Sequence, residues 1–334
     1  VPVKHLLVGS LALNDTVYAD GRTSMAAPGG NALYAAVGAN LWSQQTGIVA
    51  TVGYDWPAEH TATLSQSHIN TDGLVCKEAE TMRAWTVYEQ SGYRRYFSRN
   101  TEVVLLTPSP FSSVPIPPTQ VAAYSEAARQ VHLRCSPLPQ ELPDHLWPRL
   151  NSIHICPMRL ETILTWIDFL QSKPDIFVSV DILPYPLNGN LDDPDLRQLL
   201  NRVNAFLPSE LEAGSLIPGY DPETFCREIA ARGPAIVVIK QGDHGAVVFD
   251  REQNLFSQIA PYPARVTDLT GAGDSFCGGF SIGYSLTHNV IDAAQYGTAS
   301  ASFIIEGFGG LHALNISPAQ AQQRLAHLQT QHKG

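Results

Sequence analysis

Apolar positions in this chain gather into short continuous runs at residues 5–10, 46–53, 152–156, 176–182, 205–207, 235–240 and 246–250. Runs without in-out alternation predict strands buried on both faces, and such strands need helices on either side of the sheet. Helical spacing falls between many of them, at residues 32–44, 161–172 and 222–232, the last with Asp221 as N-cap and Pro222 in the first turn. The alternation predicts an α/β protein built on a parallel, doubly wound sheet.

Two segments break that rhythm. Residues 16–24 set Asp20-Gly21 between strand formers, and residues 84–88 and 93–97 flank Gln90-Ser91-Gly92, so each predicts a hairpin of amphipathic strands. Together they predict a small one-faced sheet acting as a lid, with lid segments at about 12–28 and 73–104 inserted into one domain spanning residues 1–334. The Pro-rich stretch 107–118 is expected to be a loop leading back to the core, and residues 320–331 a polar helix.

Composition narrows the function. The 334 residues are 44% hydrophobic and 16% charged, well below the roughly 25% charged residues of an average soluble chain, which excludes a disordered reading. Lys plus Arg number 21 against 31 Asp plus Glu, a formal net charge of −10, so no broad basic field attracts nucleic acid or an anionic membrane and a small-molecule partner is expected. No apolar stretch reaches the ~18 residues of a membrane span, and the opening residues read as a strand without a cleavage site, so a cytoplasmic location is expected. The five cysteines (Cys76, Cys135, Cys156, Cys226, Cys277) never fall at C-x-x-C spacing, and the 11 histidines form no metal-binding or triad pattern.

The segment with the most chemistry is Asp268-Leu269-Thr270-Gly271-Ala272-Gly273-Asp274-Ser275-Phe276, a glycine-rich turn running into a helical pattern. Small residues permit close approach of a ligand, and the unpaired amides of Gly271, Ala272 and Gly273 at a helix start form an anion site. Asp274 beside that helix start is expected to be held ionised, able to take a proton from a hydroxyl attacking phosphorus. The segment is neither a Walker pattern nor a dinucleotide fingerprint, since no Gly-Lys-Ser/Thr follows and the glycines do not follow the first strand.

On these residues the chain resembles the ribokinase-like (PfkB) carbohydrate kinase family, whose signature Asp-Thr-x-Gly-Ala-Gly-Asp stands here as residues 268–274 with Leu269 and Thr270 following Asp268. A second motif, Pro28-Gly29-Gly30-Asn31-Ala32-Leu33-Tyr34, is similar to the family's Gly-Gly substrate loop, so the resemblance covers nearly the whole chain. It implies a three-layer αβα sandwich with a mainly parallel sheet and a small β lid. It also implies ATP and Mg2+ as cofactors, Asp274 as catalytic base, Gly271, Ala272 and Gly273 as the anion hole, and a monovalent cation (K+) site to which Asp268 contributes.

The family's Asn-x-x-Glu, which holds magnesium near the ATP phosphates, would fall on Ser209 and Glu212, with Ser in place of Asn. The segment holding Lys240, Gly242 and Gly245 is similar to the strand and glycine turn beside the nucleotide. Lys240 replaces the commoner Thr, and a Lys there either meets an ATP phosphate or lies at the surface. On the acceptor side either Asn14 or Asp15 would hold sugar hydroxyls, with Gly29, Gly30, Asn31 and Tyr34 beside them. Arg99, with Arg94 and Arg95, invites a phosphorylated substrate, and a solvated lid face is the alternative.

The resulting expectation is ATP-dependent phosphoryl transfer to a hydroxyl, a CH2OH on a sugar or nucleoside. The alternatives are a kinase acting on a sugar phosphate and a noncatalytic sugar or nucleotide binder. A homodimer through Trp85, Val87, Tyr93 and Phe97 of the lid is a further expectation.

Overall fold

The computed structural model describes residues 2–90, 93–98, 104–108, 130, 132–183 and 190–332, with backbone alone for 93–98, 104–108 and 332. Nine strands form the main sheet: β1 (His5–Ser10), β4 (Thr46–Val52), β5 (Asn70–Cys76), β9 (Ser152–Ile155), β10 (Phe177–Val180), β11 (Ala205–Phe206), β12 (Ile236–Lys240), β13 (Ala246–Asp250) and β14 (Leu255–Ile259). Their spatial order is β14-β13-β12-β11-β10-β9-β1-β4-β5. All neighbours run parallel except β13, which is antiparallel to both β12 and β14.

The predicted continuous runs are these central strands, and their burial explains the runs: every residue of β4, β12 and β13 is buried. One face carries an aliphatic cluster around Trp166, Phe206 and Phe225 under α3 (Leu160–Leu170), α4 (Pro194–Leu200), α5 (Glu210–Leu216) and α6 (Pro222–Ala230). The other is covered by α1 (Asn31–Asn40), α7 (Ala272–Thr287) and α8 (Val290–Ile304). Two further helices, α2 (Ala58–Gln66) and α9 (Pro318–His332), lie toward the periphery. The layers are those of the expected αβα sandwich.

The lid is a second sheet, ordered β3-β2-β6-β7-β8, from β2 (Ala12–Val17), β3 (Thr23–Gly29), β6 (Met82–Tyr88), β7 (Tyr93–Ser98) and β8 (Val104–Pro108). The Asp20-Gly21 turn is present: Tyr18 N–H donates to Arg22 O at 2.9 Å, with Gly21 at φ 86°. Two expectations need correction. Residues 73–76, read as lid, finish β5 on the edge of the main sheet, because their backbone pairs with β4. Thr107 and Pro108, read as the start of a loop, end β8, where Pro108 sits opposite Tyr93 on an outer strand that tolerates the missing donor; the rest of 107–118 lies outside the described residues. Trp85 and Val87 are half-buried, while the side chains of Tyr93 and Phe97, named with them for a dimer, lie outside the described residues.

Among the described residues no helix is long and apolar enough to cross a membrane.

Candidate active site

In an open sheet, ligands bind where neighbouring strands leave in opposite directions. Here that place lies between β1 and β9: the chain builds β4 and β5 on one side of β1 and later adds β9 and β10 on the other. Above those strand ends opens a cavity of about 260 Å3, lined by Ser10, Asn14, Gly30, Asn31 and Tyr34 on one side and Thr270, Gly271 and Asp274 on another. Met82 and Thr86 of β6 roof it from the lid, and His132, Cys135, Ser136, Met158 and Leu183 complete the wall.

Two glycine entrances are brought together by helix packing. Gly30 caps α1 at φ 99° with its α-hydrogen side against Ser10, where a Cβ would stand 2.3 Å from the Ser10 carbonyl oxygen. Gly271 caps α7 at φ 80°, and a Cβ there would be 2.1 Å from Cγ of Tyr34, so the Tyr34 ring lies directly on the turn. α1 and α7 cross so closely that a Cβ on Gly278 would be 1.9 Å from the Ala35 carbonyl oxygen. Small residues at that crossing aim both helix N-termini at one cavity.

At the α7 entrance Asp274 occupies the first turn. The amide of Ala272 donates to Leu269 O at 3.3 Å, whereas Gly271 and Gly273 have no backbone acceptor among the described residues. Of the three amides expected to bind an anion, two therefore remain unspent. Asp268 Oδ1 accepts from the Thr270 amide at 3.0 Å and its hydroxyl at 2.8 Å, which shapes the turn. The helix start does not hold the Asp274 carboxyl below the usual carboxylate range. Burial pushes its carboxyl up to about 6, reinforced by Glu212 and opposed by Lys240; desolvation of a carboxylate outweighs a helix entrance.

Strand alternation turns Asn14 and Asp15 in opposite directions. Asn14 lines the cavity and reaches over Gly29, where a Cβ would stand 2.1 Å from Asn14 Nδ2. Asp15 points the other way, fully buried, and accepts from Arg83 Nε at 2.5 Å, Arg83 Nη2 at 2.8 Å and the Ala26 amide at 2.7 Å. As a hydroxyl contact Asp15 is corrected to a brace between β2 and β6. Asn31 lines the cavity, but its Oδ1 accepts from the Ser10 amide at 2.7 Å and its Nδ2 donates to Pro157 O at 2.6 Å, tying β1 to the end of β9. Arg99 lies outside the described residues, as do the side chains of Arg94 and Arg95.

The residues expected on the nucleotide side do not line this cavity. Ser209 and Glu212 close a capping box at the start of α5: the Ser209 amide donates to Glu212 Oε2 at 2.6 Å and its hydroxyl donates to the same oxygen. Ser209 is thus engaged in the helix start rather than presented to a metal. Gly242 and Gly245, at φ 57° and 85°, form the turn between β12 and β13. Lys240 contradicts both of its sequence readings. It is 9% exposed and donates to the Asp181 carboxylate under α7, so it neither reaches outward to a phosphate nor lies at the surface. No group of three or more His, Cys, Asp or Glu side chains among the described residues is placed to hold a metal ion.

Sequence reasoning missed Ser10, Thr86, His132, Ser136 and Met158. Ser10 alone had a local signal, as the polar residue ending an apolar strand; the others meet the cavity only through tertiary packing.

A sequence model of the pfkB family carbohydrate kinases matches residues 10–316. A cytidine kinase of Thermococcus kodakarensis is 25% identical over 305 residues, covering 91% of this chain and 96% of that one. Among solved structures, a candidate ribokinase II of Escherichia coli in complex with ATP and Mg2+ superposes with a TM-score of 0.71 at 17% identity, covering 97% of this chain and 99% of that one. The Methanocaldococcus jannaschii nucleoside kinase, an archaeal member of the ribokinase family, gives 0.70 at 18% identity over 98% and 99%.

Proposed function

The chain belongs to the pfkB family of carbohydrate kinases, and from that premise we propose that it transfers the γ-phosphoryl group of ATP to a CH2OH hydroxyl of a sugar or nucleoside. One observation carries the reading: Asp274 and Gly271 line the same cavity as Asn14, Gly30 and Tyr34, so a carboxylate and the glycine turn at a helix start border the place an acceptor would fill. The hydroxyl oxygen bonds to the γ-phosphorus as the bond from that phosphorus to the bridging oxygen breaks and ADP leaves, the hydroxyl proton passes to the Asp274 carboxylate, and the Gly271 and Gly273 amides stabilise charge on the transferring oxygens.

Asp274 at about 6 is ionised at neutral pH yet more basic than an ordinary carboxylate, which suits it to accept that proton. Asn14 contacts acceptor hydroxyls, and closure of β2, β3 and β6 over the cavity excludes water that would otherwise compete as acceptor.

Magnesium would be held mainly by ATP phosphates and water; Glu212 does not line the cavity and its Oε2 already accepts from Ser209, so only its second carboxylate oxygen would be left for the ion or its waters. When bound it neutralises phosphate charge. A K+ site would have to add main-chain oxygens to Asp268, whose Oδ1 is already committed to Thr270, and no step depends on it.

The test is an ADP-release assay across sugars, sugar phosphates and nucleosides. Turnover with a sugar or nucleoside, reduced ~10²- to 10⁴-fold in Asp274→Ala, is expected for loss of a general base. Turnover unchanged in that variant, or ATP binding without phosphorylation of any acceptor, overturns the proposal.

A further inference from the structure

Phosphoryl transfer as drawn above leaves a buried ammonium unused. The Lys240 amide donates to Pro208 O at 2.9 Å at the end of β12, and the side chain then runs under the first turn of α7. Its Nζ donates to Asp181, lies 3.5 Å from Cys277 Sγ, and would be 3.6 Å from a Cβ built on Gly273. The groups around it come from every neighbouring element: Asp181 after β10, Glu212 of α5, His154 of β9, and Asp274 and Cys277 of α7. Burial alone would strip the proton, but the Asp181 carboxylate reverses that and holds the amine protonated.

A buried charge is costly, and a hydrophobic pair in its place is often neutral or stabilising, so stability alone is a weak reason for this one. Its orientation supplies another. The three atoms nearest a Cβ built on Gly273 all belong to Lys240, Nζ first at 3.6 Å, so the ammonium stands closer to the helix entrance than the Asp181 carboxylate does. The two fields therefore do not cancel at the helix entrance.

Resting on the phosphoryl-transfer reading, we propose that Lys240 is a positioning residue for that reaction: its ammonium, clamped by Asp181 beneath α7, adds fixed positive potential to the Gly271 and Gly273 amides from the protein side. A lysine touching the phosphate must be desolvated in each cycle. One clamped from below is desolvated once, on folding, and needs no reorganisation as charge develops.

The test compares binding of MgADP with binding of MgADP plus aluminium fluoride, a planar stand-in for the migrating phosphoryl group, by calorimetry. The variants are Lys240→Met combined with Asp181→Asn, Asp181→Asn alone, and Lys240→Arg. The wild type is expected to bind the fluoride complex more tightly than MgADP. In the double variant MgADP affinity stays as in the wild type while that added tightening falls ~10- to 100-fold, the scale of losing one electrostatic contributor. Lys240→Arg, whose guanidinium stays charged, retains most of it, whereas Asp181→Asn, which removes the carboxylate that holds the amine protonated, loses it much as the double variant does. Full tightening in the double variant, or a loss in Lys240→Arg as large as in the double variant, overturns the role of Lys240. Absence of tightening in the wild type overturns the phosphoryl-transfer reading instead, and this proposal with it. A purely structural pair would lower melting temperature and MgADP affinity together and leave the ratio of the two affinities unmoved.

Discussion

As the proposed base, Asp274 would set the pH behaviour of the site. Because the base must be ionised and its carboxyl stands at about 6, kcat/KM should fall on the acid side of about pH 6, tenfold for each further unit; a rate profile against pH, with any acceptor found active, measures it. The same shift has a stability consequence of opposite sense. The folded chain holds this proton more tightly than the unfolded chain, whose carboxyl is near 3.8, so the group's contribution is fullest at low pH and is lost as pH rises through about 6. Asp274→Asn should therefore be more stable than the wild type by on the order of 2 kcal/mol near pH 8 and no more stable near pH 4, read by urea denaturation at both. This residue and its glycines were legible in the sequence because one short segment carries them. The sequence left Asn14 and Asp15 as alternatives because chemistry favours a carboxylate for hydroxyls, while strand alternation turns Asp15 toward Arg83 and leaves Asn14 facing the cavity.

Between elements, the crossing of α1 and α7 sets the distance between the Gly30 and Gly271 turns, and on the proposed function the distance from acceptor to phosphoryl donor. Gly278→Ala should cost about 1–3 kcal/mol or more through overpacking, since its Cβ meets the rigid backbone of Ala35 rather than a yielding side chain. Thermal unfolding measures the loss, and the surviving folded enzyme should also turn over more slowly because the two glycine entrances are pushed apart. A similar brace joins the lid strands: Arg83→Met leaves Asp15 buried without its guanidinium, with an expected loss of about 3–5 kcal/mol at most, discounted for the partial exposure of Arg83 and visible as selective proteolysis of the lid. Central strands could be read from their apolar runs, but β5 and β14 could not. They stand at the edges of the sheet, half-exposed for most of their length, so no continuous run marks them. α2 escaped for the same reason, with Leu64 as its one buried residue.

Across the whole molecule, the site exists only where the order of strands reverses. That order is not written in any local pattern: runs and turns specify a doubly wound sheet with a lid, while the seating of β1 between β4 and β9 is a result of packing. Asn14, Met82 and Thr86 of the lid line the cavity that the proposed acceptor would fill, so on the proposed function hydrogen exchange of β2 and β3 should slow most when a nonhydrolysable ATP analogue and an acceptor are present together, and less with either alone. Equal protection by the analogue alone would separate the lid from acceptor binding. The central seat of β1 also reaches back to synthesis. A ribosome delivers β1 and the Gly-Gly loop early, yet the partner strand β9 and the Gly271 turn emerge more than a hundred residues later. Until then a nascent chain carries a bare, apolar sheet edge and half a pocket, a period in which chaperones, rather than ligands, are its natural company.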